Sequence, residues 1–300
     1  MVIDDPIFPG GKTMTYVNGA DGTKLYVEDA GDGAPVVFVS SAWLGTRMWE
    51  FQVPAVVAAG HRAVTYDRRG HGRSDRPWDG YDYDTLADDL AAILGELDLS
   101  GVTLVSQSMG AGEVVRYLTR HGSARVAGIV LIAPLTPLPM WLPDNPQGIP
   151  LEVFEAEDRL RAADRPGWMT ASATGFFGDD HPEVSVSDAM RRWMIDQCLD
   201  VSARATSQVA RAVFTTDFRA ELPTVDLPAL VLHGERDVQA PIDLCGRRTA
   251  ELLPDARLRT YPDAAHGLFI THAAALNADL LGFLSRRVAA GAAEGSVRAS

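Results

Sequence analysis

The chain has 300 residues, 46% of them hydrophobic, with 40 acidic against 27 basic side chains and a formal net charge of −13. That length buries one substantial core and leaves room for an inserted subdomain. The negative charge excludes nucleic acid and anionic membrane surfaces as partners, since both call for basic patches, and no apolar run approaches the ~20 residues of a membrane span.

The opening Met1-Val2-Ile3-Asp4-Asp5-Pro6 lacks the basic-then-apolar order of a signal peptide, which predicts a cytoplasmic protein. Its first dozen residues are expected to be loosely ordered. Strands are predicted at Thr15–Val17, Lys24–Glu28, Val36–Val39 and Ala63–Tyr66. A helix over Asp84–Leu97 carries Leu86, Leu90, Ile93, Leu94 and Leu97 on one face, with Asp84 as its N-cap. Strands Val102–Val105 and Ala127–Ile132 follow, separated by a helical run from Ala111 to His121. Pro134 breaks the alternation. From Pro137 to about Leu222 the pattern gives helices at Leu151–Ala163, Val186–Leu199 and Ala203–Phe214, joined by Pro- and Gly-containing loops. Strands return at Leu230–Leu232 and Arg257–Thr260, before an Ala-, Gly- and Ser-rich tail from about Ala289 that is expected to be loose. Alternating strands and helices predict an α/β fold, an eight-stranded, mostly parallel sheet with helices on both faces. The expected division is a core of 13–136 and 223–288, a helical cap of 137–222 over the active-site end of the sheet, and a flexible tail of 289–300. Cys198 and Cys245 are too few for a disulfide framework and have no metal-type spacing. Both are expected to be reduced, structural and within helices.

The segment Ser106-Gln107-Ser108-Met109-Gly110 joins the strand ending at Val105 to the following helix. A tight turn with a serine at its tip strains the backbone there and needs small residues two places before and two after. Ser106 and Gly110 meet that rule for Ser108; were Ser106 the tip, Leu104 would fill a small position. Asp237 follows the strand of Pro228–His233 in a loop closed by Pro241, and His266 follows Arg257–Thr260. Serine, acid and histidine thus appear in the order of α/β-hydrolases, each beyond a predicted strand. The histidine takes and returns the serine proton, and the carboxylate fixes its tautomer and stabilises the imidazolium. Glu235 is the weaker candidate acid, and Asp263 is assigned to the turn before His266. His71 is read as a loop contact. His61, His121, His181, His233 and His272 have no partner pattern and are assigned to surface, turn or capping positions.

The chain resembles the bacterial cofactor-free haloperoxidases, aryl esterases and perhydrolases of the α/β-hydrolase superfamily, from about Tyr16 to Leu284. The resemblance is carried by Tyr66-Asp67-Arg68-Arg69-Gly70-His71-Gly72-Arg73-Ser74, by Pro77-Trp78-Asp79-Gly80, by Glu113-Val114-Val115-Arg116-Tyr117, by Thr216-Asp217-Phe218 and by His266-Gly267 with Thr271-His272. It implies Ser108 as nucleophile, Asp237 as acid and His266 as base, with neither cofactor nor metal. It also implies an oxyanion hole from the backbone N–H groups of Met109 and of Ala42, or of Trp43 if that loop is shifted. Such donors supply ~3–4 kcal/mol each in a dry site. Asp67 and Arg68 are expected to organise loops.

Departures from the family pattern bear on substrate. Ser40-Ser41 stands where His-Gly is usual, Ser106 where glycine is, and Gln107 replaces histidine or an aromatic. Trp43 follows the Ala42 donor where the resembling perhydrolases often carry proline. The Ser-Ser loop continuing into Leu44-Gly45-Thr46 is similar to that of enol-lactone hydrolases. Pocket candidates are Ser41, Trp43, Gln107, Trp141, Trp168, Trp193 and Leu268, and about two of the cap aromatics Trp141, Phe154, Trp168, Phe176, Phe177 and Trp193 are expected to reach substrate. The expected function is a serine hydrolase of small, mainly apolar carboxylic esters or lactones, working through an acyl-enzyme. The alternatives are a perhydrolase or haloperoxidase and a catalytically silent binding protein of the same fold. A small-molecule substrate is the expected partner, and the cap is a surface for either a lid or a second copy of the chain.

Overall fold

The structure, a computed structural model, describes residues 3–5 and 8–298, with side chains described from 13 to 286. Its strands are β1 (Ile3–Asp5), β2 (Phe8–Asn18), β3 (Lys24–Ala30), β4 (Pro35–Val39), β5 (Arg62–Tyr66), β6 (Val102–Gln107), β7 (Val126–Ile132), β8 (Ala229–Gly234) and β9 (Ala256–Tyr261). Its helices are α1 (Gln52–Ala58), α2 (Tyr83–Glu96), α3 (Gly110–His121), α4 (Leu151–Ala163), α5 (Arg165–Phe177), α6 (Asp188–Asp200), α7 (Ala203–Thr215), α8 (Gly246–Leu252), α9 (Leu268–Thr271) and α10 (Ala273–Arg298).

The strands form one sheet in the order β1-β2-β3-β5-β4-β6-β7-β8-β9. Pairing is antiparallel from β1 to β3 and between β3 and β5, and parallel from β5 through β9. The eight expected strands are β2 to β9, and β1 adds a short segment at the antiparallel edge. Successive side chains of a strand face opposite ways, and the core shows it. Val37 and Val39 of β4 join Leu86, Leu90 and Val114 on one face, whereas Val36 and Phe38 join Trp49, Leu276 and Leu280 on the other. With both faces covered, β6, β7 and β8 are apolar almost without alternation, as parallel strands between two helix layers must be.

Several boundaries differ from expectation for identifiable reasons. The N-terminal dozen residues contain β1 and the start of β2: Pro9, Gly10 and Gly11 read as breakers, but this part of β2 is held by antiparallel pairing with β1 before the β3 register begins at Lys12. The N-cap of α2 is Asp82, not Asp84: its Oδ1 accepts from the Thr85 N–H at 3.0 Å. Helix α5 was masked by Pro166-Gly167, which reads as a loop; proline is tolerated in a first turn, and Asp164 caps the helix through the Gly167 N–H at 2.9 Å. Cys245 precedes α8 rather than lying within it. Helix α10 continues through Arg298 where a loose tail is expected from Ala289, in keeping with the high helix propensity of alanine. Residues 299 and 300 lie outside the described residues.

Four helices, α4 to α7, connect β7 to β8. Their inner residues and the loops after β4, β6 and β9 wall one cavity. No helix among the described residues is long and apolar enough to cross a membrane.

Candidate active site

The turn after β6 is as sharp as its sequence requires. Ser108 has φ +57°, a conformation that costs an L-residue with a side chain on the order of 1–3 kcal/mol and persists only where its surroundings enforce it. They do so by hydrogen bonds. The Ser108 N–H donates to the Ile132 carbonyl of β7 at 2.9 Å, and its own carbonyl accepts from Ala111 at 3.2 Å and Leu135 at 3.3 Å. A Cβ on Gly110 would meet the Val39 carbonyl oxygen at 2.6 Å, so no larger residue fits where α3 leaves the turn. Ser106 is fully buried, with its hydroxyl on the Val130 carbonyl at 3.5 Å, and cannot compete with Ser108 for a substrate.

Ser108, His266 and Asp237 form one hydrogen-bonded chain. His266 Nε2 lies 2.9 Å from Ser108 Oγ, and its Nδ1 lies 2.7 Å from Asp237 Oδ2. The carboxylate requires the Nδ1 proton, which leaves Nε2 as the acceptor facing the serine hydroxyl. Asp237 is itself tightly held: Oδ1 accepts from the backbone N–H groups of Gln239 at 2.9 Å and Ala240 at 2.8 Å. Burial alone would raise its pKa, but the charges and hydrogen bonds of His266 and His233 outweigh burial and hold it well below the ordinary carboxylate value. Glu235 is half-exposed, with its carboxylate 3.9 Å from Arg247, and Asp263 lies 3.7 Å from His181; neither reaches His266.

His233 is a member of this site that sequence reasoning placed at the surface or in a turn. It is completely buried. Its Nε2 lies 2.8 Å from the Ala240 carbonyl and 3.3 Å from Asp237 Oδ2. The carbonyl requires a proton on Nε2, so a second imidazole also donates towards the carboxylate. The available signal was its position, one residue before the end of β8 and four before Asp237 in the same loop.

The loop after β4 approaches from the other side. Trp43 has φ +64°, and the Leu44 N–H closes the turn on the Ser41 carbonyl at 3.5 Å. Among the described residues, the N–H groups of Ala42, Trp43 and Met109 make no hydrogen bond within the protein. Arg68 fixes this loop from beneath, donating to the carbonyls of Ser40 at 2.8 Å and Ser41 at 3.1 Å while its Nε donates to Glu113 Oε2 at 2.8 Å. Glu113 Oε1 takes the Tyr66 hydroxyl, so β5, α3 and the loop after β4 are tied at one buried ion pair. Asp67 organises the adjacent loop by accepting from Thr46 and Arg73, as expected of a structural residue.

The cavity above Ser108 has a volume of about 500 Å³, within the range of small-molecule sites. Of the expected pocket residues, Ser41, Trp43 and Trp168 line it, as do Phe154, Phe176 and Phe177. Gln107, Trp141, Trp193 and Leu268 do not. Gln107 is buried beneath the turn, donating to the His266 carbonyl at 3.2 Å. Trp141 is largely exposed and Leu268 belongs to the core. Trp193 packs outside the cavity under the Arg47 guanidinium at 5.5 Å. Even spacing along the cap helices does not reveal which aromatic faces inward. Missed by sequence were Met169, Met194, Val213, Phe214 and, above all, Arg161. Burial pushes the thiol of the cavity residue Cys198 up to about 12, which leaves it protonated and inert. Among the described residues, no cluster of His, Cys, Asp and Glu could hold a metal ion.

Comparison with known proteins shows the family and the fold. The sequence pattern of the family described as alpha/beta hydrolase fold matches residues 34–273. A non-heme chloroperoxidase of Kitasatospora aureofaciens is 39% identical over 279 residues, covering 91% of this chain and 100% of that protein. A bifunctional esterase/perhydrolase of Acinetobacter calcoaceticus is 36% identical, covering 90% and 99%. Among solved structures, a bromoperoxidase from Bacillus anthracis superposes with a TM-score of 0.86 at 36% identity, covering 91% of this chain and 100% of that one. An esterase from Exiguobacterium antarcticum gives a TM-score of 0.86 at 29% identity over the same shares. With its sheet order, its serine turn and the span of these matches, the chain belongs to the alpha/beta hydrolase fold family.

Proposed function

We propose that the protein is a serine hydrolase that cleaves small, mainly apolar carboxylic esters or lactones through an acyl-enzyme on Ser108. The observation that carries this reading is the chain Asp237–His266–Ser108 opening into a cavity with mostly apolar walls. His266 Nε2 takes the hydroxyl proton as Ser108 Oγ attacks the carbonyl carbon. The oxyanion forms against the helix end at Met109 and the turn at Ala42, whose unpaired N–H groups stabilise charge that exists only in the intermediate. His266 then returns the proton to the leaving alkoxide. Water repeats the sequence on the acyl-enzyme and releases the acid. Asp237 keeps the imidazole in the productive tautomer throughout.

A second reading, perhydrolysis, is favoured by the haloperoxidase and perhydrolase names of similar proteins. It uses the same acyl-enzyme with hydrogen peroxide as acceptor. The residue after Ala42 supports water instead: φ is +64° at Trp43, whereas proline is confined near −65°, so this loop does not take the proline-bearing form of the resembling perhydrolases. The discriminating experiment is turnover of aryl esters and small-ring lactones by purified protein, with and without peroxide. Hydrolysis exceeding peracid formation supports the proposal; preference for peroxide replaces it with the second reading, and no turnover of any ester or lactone overturns it.

A further inference from the structure

Helix α4 breaks the ordinary rule of burial. Leu151, Val153 and Leu160 are exposed, and the residue it buries is Arg161, only 5% exposed. Cations almost never fill a buried position unless paired or functional. Here the pairing is partial. One terminal nitrogen, Nη2, contacts Asp158, while Nε and Nη1 make no hydrogen bond among the described residues. The guanidinium is held in place by two indoles, 5.2 Å from the Trp43 ring and 5.3 Å from the Trp168 ring, which are themselves edge-on at 5.6 Å. Trp43 is anchored by its indole N–H on the Thr206 carbonyl and Trp168 by its own on Glu157. A planar cation packed against two aromatic rings keeps its remaining N–H groups in the guanidinium plane, where the Nη2 hydrogen that Asp158 does not take still forms a parallel pair with a neighbouring N–H. Arg161 is part of the wall of the cavity that also contains Ser108 and His266. Of the other polar groups expected to shape substrate choice, Gln107 lies beneath the turn and the Ser40 hydroxyl is held by Trp49, while Ser41 stays in the cavity wall.

We propose that Arg161 binds a carboxylate of the substrate, so that the preferred esters or lactones carry an acid group in addition to the scissile carbonyl. This rests on the serine hydrolase reading of the same cavity and deepens it. A carboxylate accepts two parallel N–H bonds from a guanidinium edge, which a neutral ester tail cannot match. Exposed Glu157, at the cavity rim, and Asp158 carry opposing charge, so the preference depends on direct contact with the guanidinium and not on the net field. Burial pulls the Arg161 pKa downward against these two acids, the signature of a cation short of compensating partners.

The test compares aryl half-esters of dicarboxylic acids with neutral aryl esters of equal chain length, and with aryl esters whose carboxylate sits on the alcohol. For the wild type, kcat/KM should favour one carboxylate series by roughly tenfold or more, the scale of a charge-assisted hydrogen bond in a sheltered site. The series favoured tells whether the anion lies on the acyl or the alcohol side. In Arg161→Met the ratio should fall to about one, and Arg161→Lys should keep part of it. Each variant's own rate on the neutral ester is the denominator, so impaired folding scales both rates and leaves the ratio readable. Calorimetry of the Ser108→Ala protein with free dicarboxylates against monocarboxylates of equal length gives a readout independent of turnover. Tighter binding of the dicarboxylate, weakened by adding Arg161→Met, sustains the anion site even if ester cleavage fails. Equal kcat/KM for charged and neutral esters in the wild type, or a ratio unmoved by Arg161→Met, overturns it.

Discussion

Removing the charge of Glu113 should damage both stability and the proposed catalysis, because the Arg68–Glu113 pair joins the loop before Ala42 to helix α3, which follows Ser108. Both side chains are buried, at 1% and 0% exposure, and the ion pair closes at 2.8 Å. In Glu113→Gln the Arg68 cation loses its counter-charge and keeps only neutral acceptors, among them the Ser40 and Ser41 carbonyls. Stripping one partner from a buried pair costs about 3–5 kcal/mol, a large share of a total stability of about 5–15 kcal/mol. Urea denaturation should therefore show an unchanged slope and a midpoint lower by about 1–2 M. The double variant Arg68→Met/Glu113→Gln should cost less than the sum of the single changes, with a coupling of about 1–3 kcal/mol. Arg68→Met also releases the two carbonyls that precede Ala42, so at temperatures where it is folded its kcat should drop by roughly 10²-fold, the scale of a misplaced catalytic geometry, with a smaller change in KM. Additive single effects, or a folded Arg68→Met with wild-type kcat, would refute this role for the pair.

Asp237→Asn should leave the fold intact and lower kcat by roughly 10⁴ by favouring the wrong imidazole tautomer, whereas Glu235→Gln should stay active; steady-state kinetics of the two variants check this. His71 is buried with its pKa lowered from 6.5 to about 3, chiefly by burial and then by the Arg68 charge. Its folded pKa lies below its unfolded one, so its contribution is complete above about pH 6.5 and is lost as pH falls towards 3, at up to ~1.4 kcal/mol per pH unit. Denaturation against pH should show stability falling more steeply between about pH 6.5 and 3 in wild type than in His71→Asn, which keeps a donor for the Arg69 carbonyl, the difference being the His71 contribution. Trp168→Ala should change relative kcat/KM among acyl chains by about 1–3 kcal/mol; Trp141→Ala and Trp193→Ala, outside the cavity, should not, and a selectivity change confined to those two would misplace the pocket.

What the sequence made legible follows from where its physics is local. The parallel strands announce themselves because burial on both faces turns Val36–Val39 or Ala127–Ile132 into unbroken apolar runs. The serine turn is readable because the close approach of Val39 to Gly110 restricts residue size, and α4 was bounded to the residue. Residues acting across the chain were harder to read. His233 reaches Asp237 only because the loop after β8 folds back on its own strand. Pro166-Gly167 hid α5, since a helix start and a loop share those residues. The inward-facing members of the cap could not be separated because α4, α5 and α6 have weak amphipathic patterns. Arg161 was invisible for the same reason: nothing in the helix sequence separates it from Arg159 as the one buried.

The central claim is that Ser108 forms the acyl-enzyme, and mass spectrometry of protein treated with a fluorophosphonate, then digested, tests it most directly. The wild type should carry one adduct on the peptide containing Ser108, with fragments placing it on Ser108 and not on Ser106, and Ser108→Ala should carry none and lose ester turnover by on the order of 10⁶ in kcat. An adduct on Ser106, or a Ser108→Ala protein that still hydrolyses esters at the wild-type rate, would contradict it.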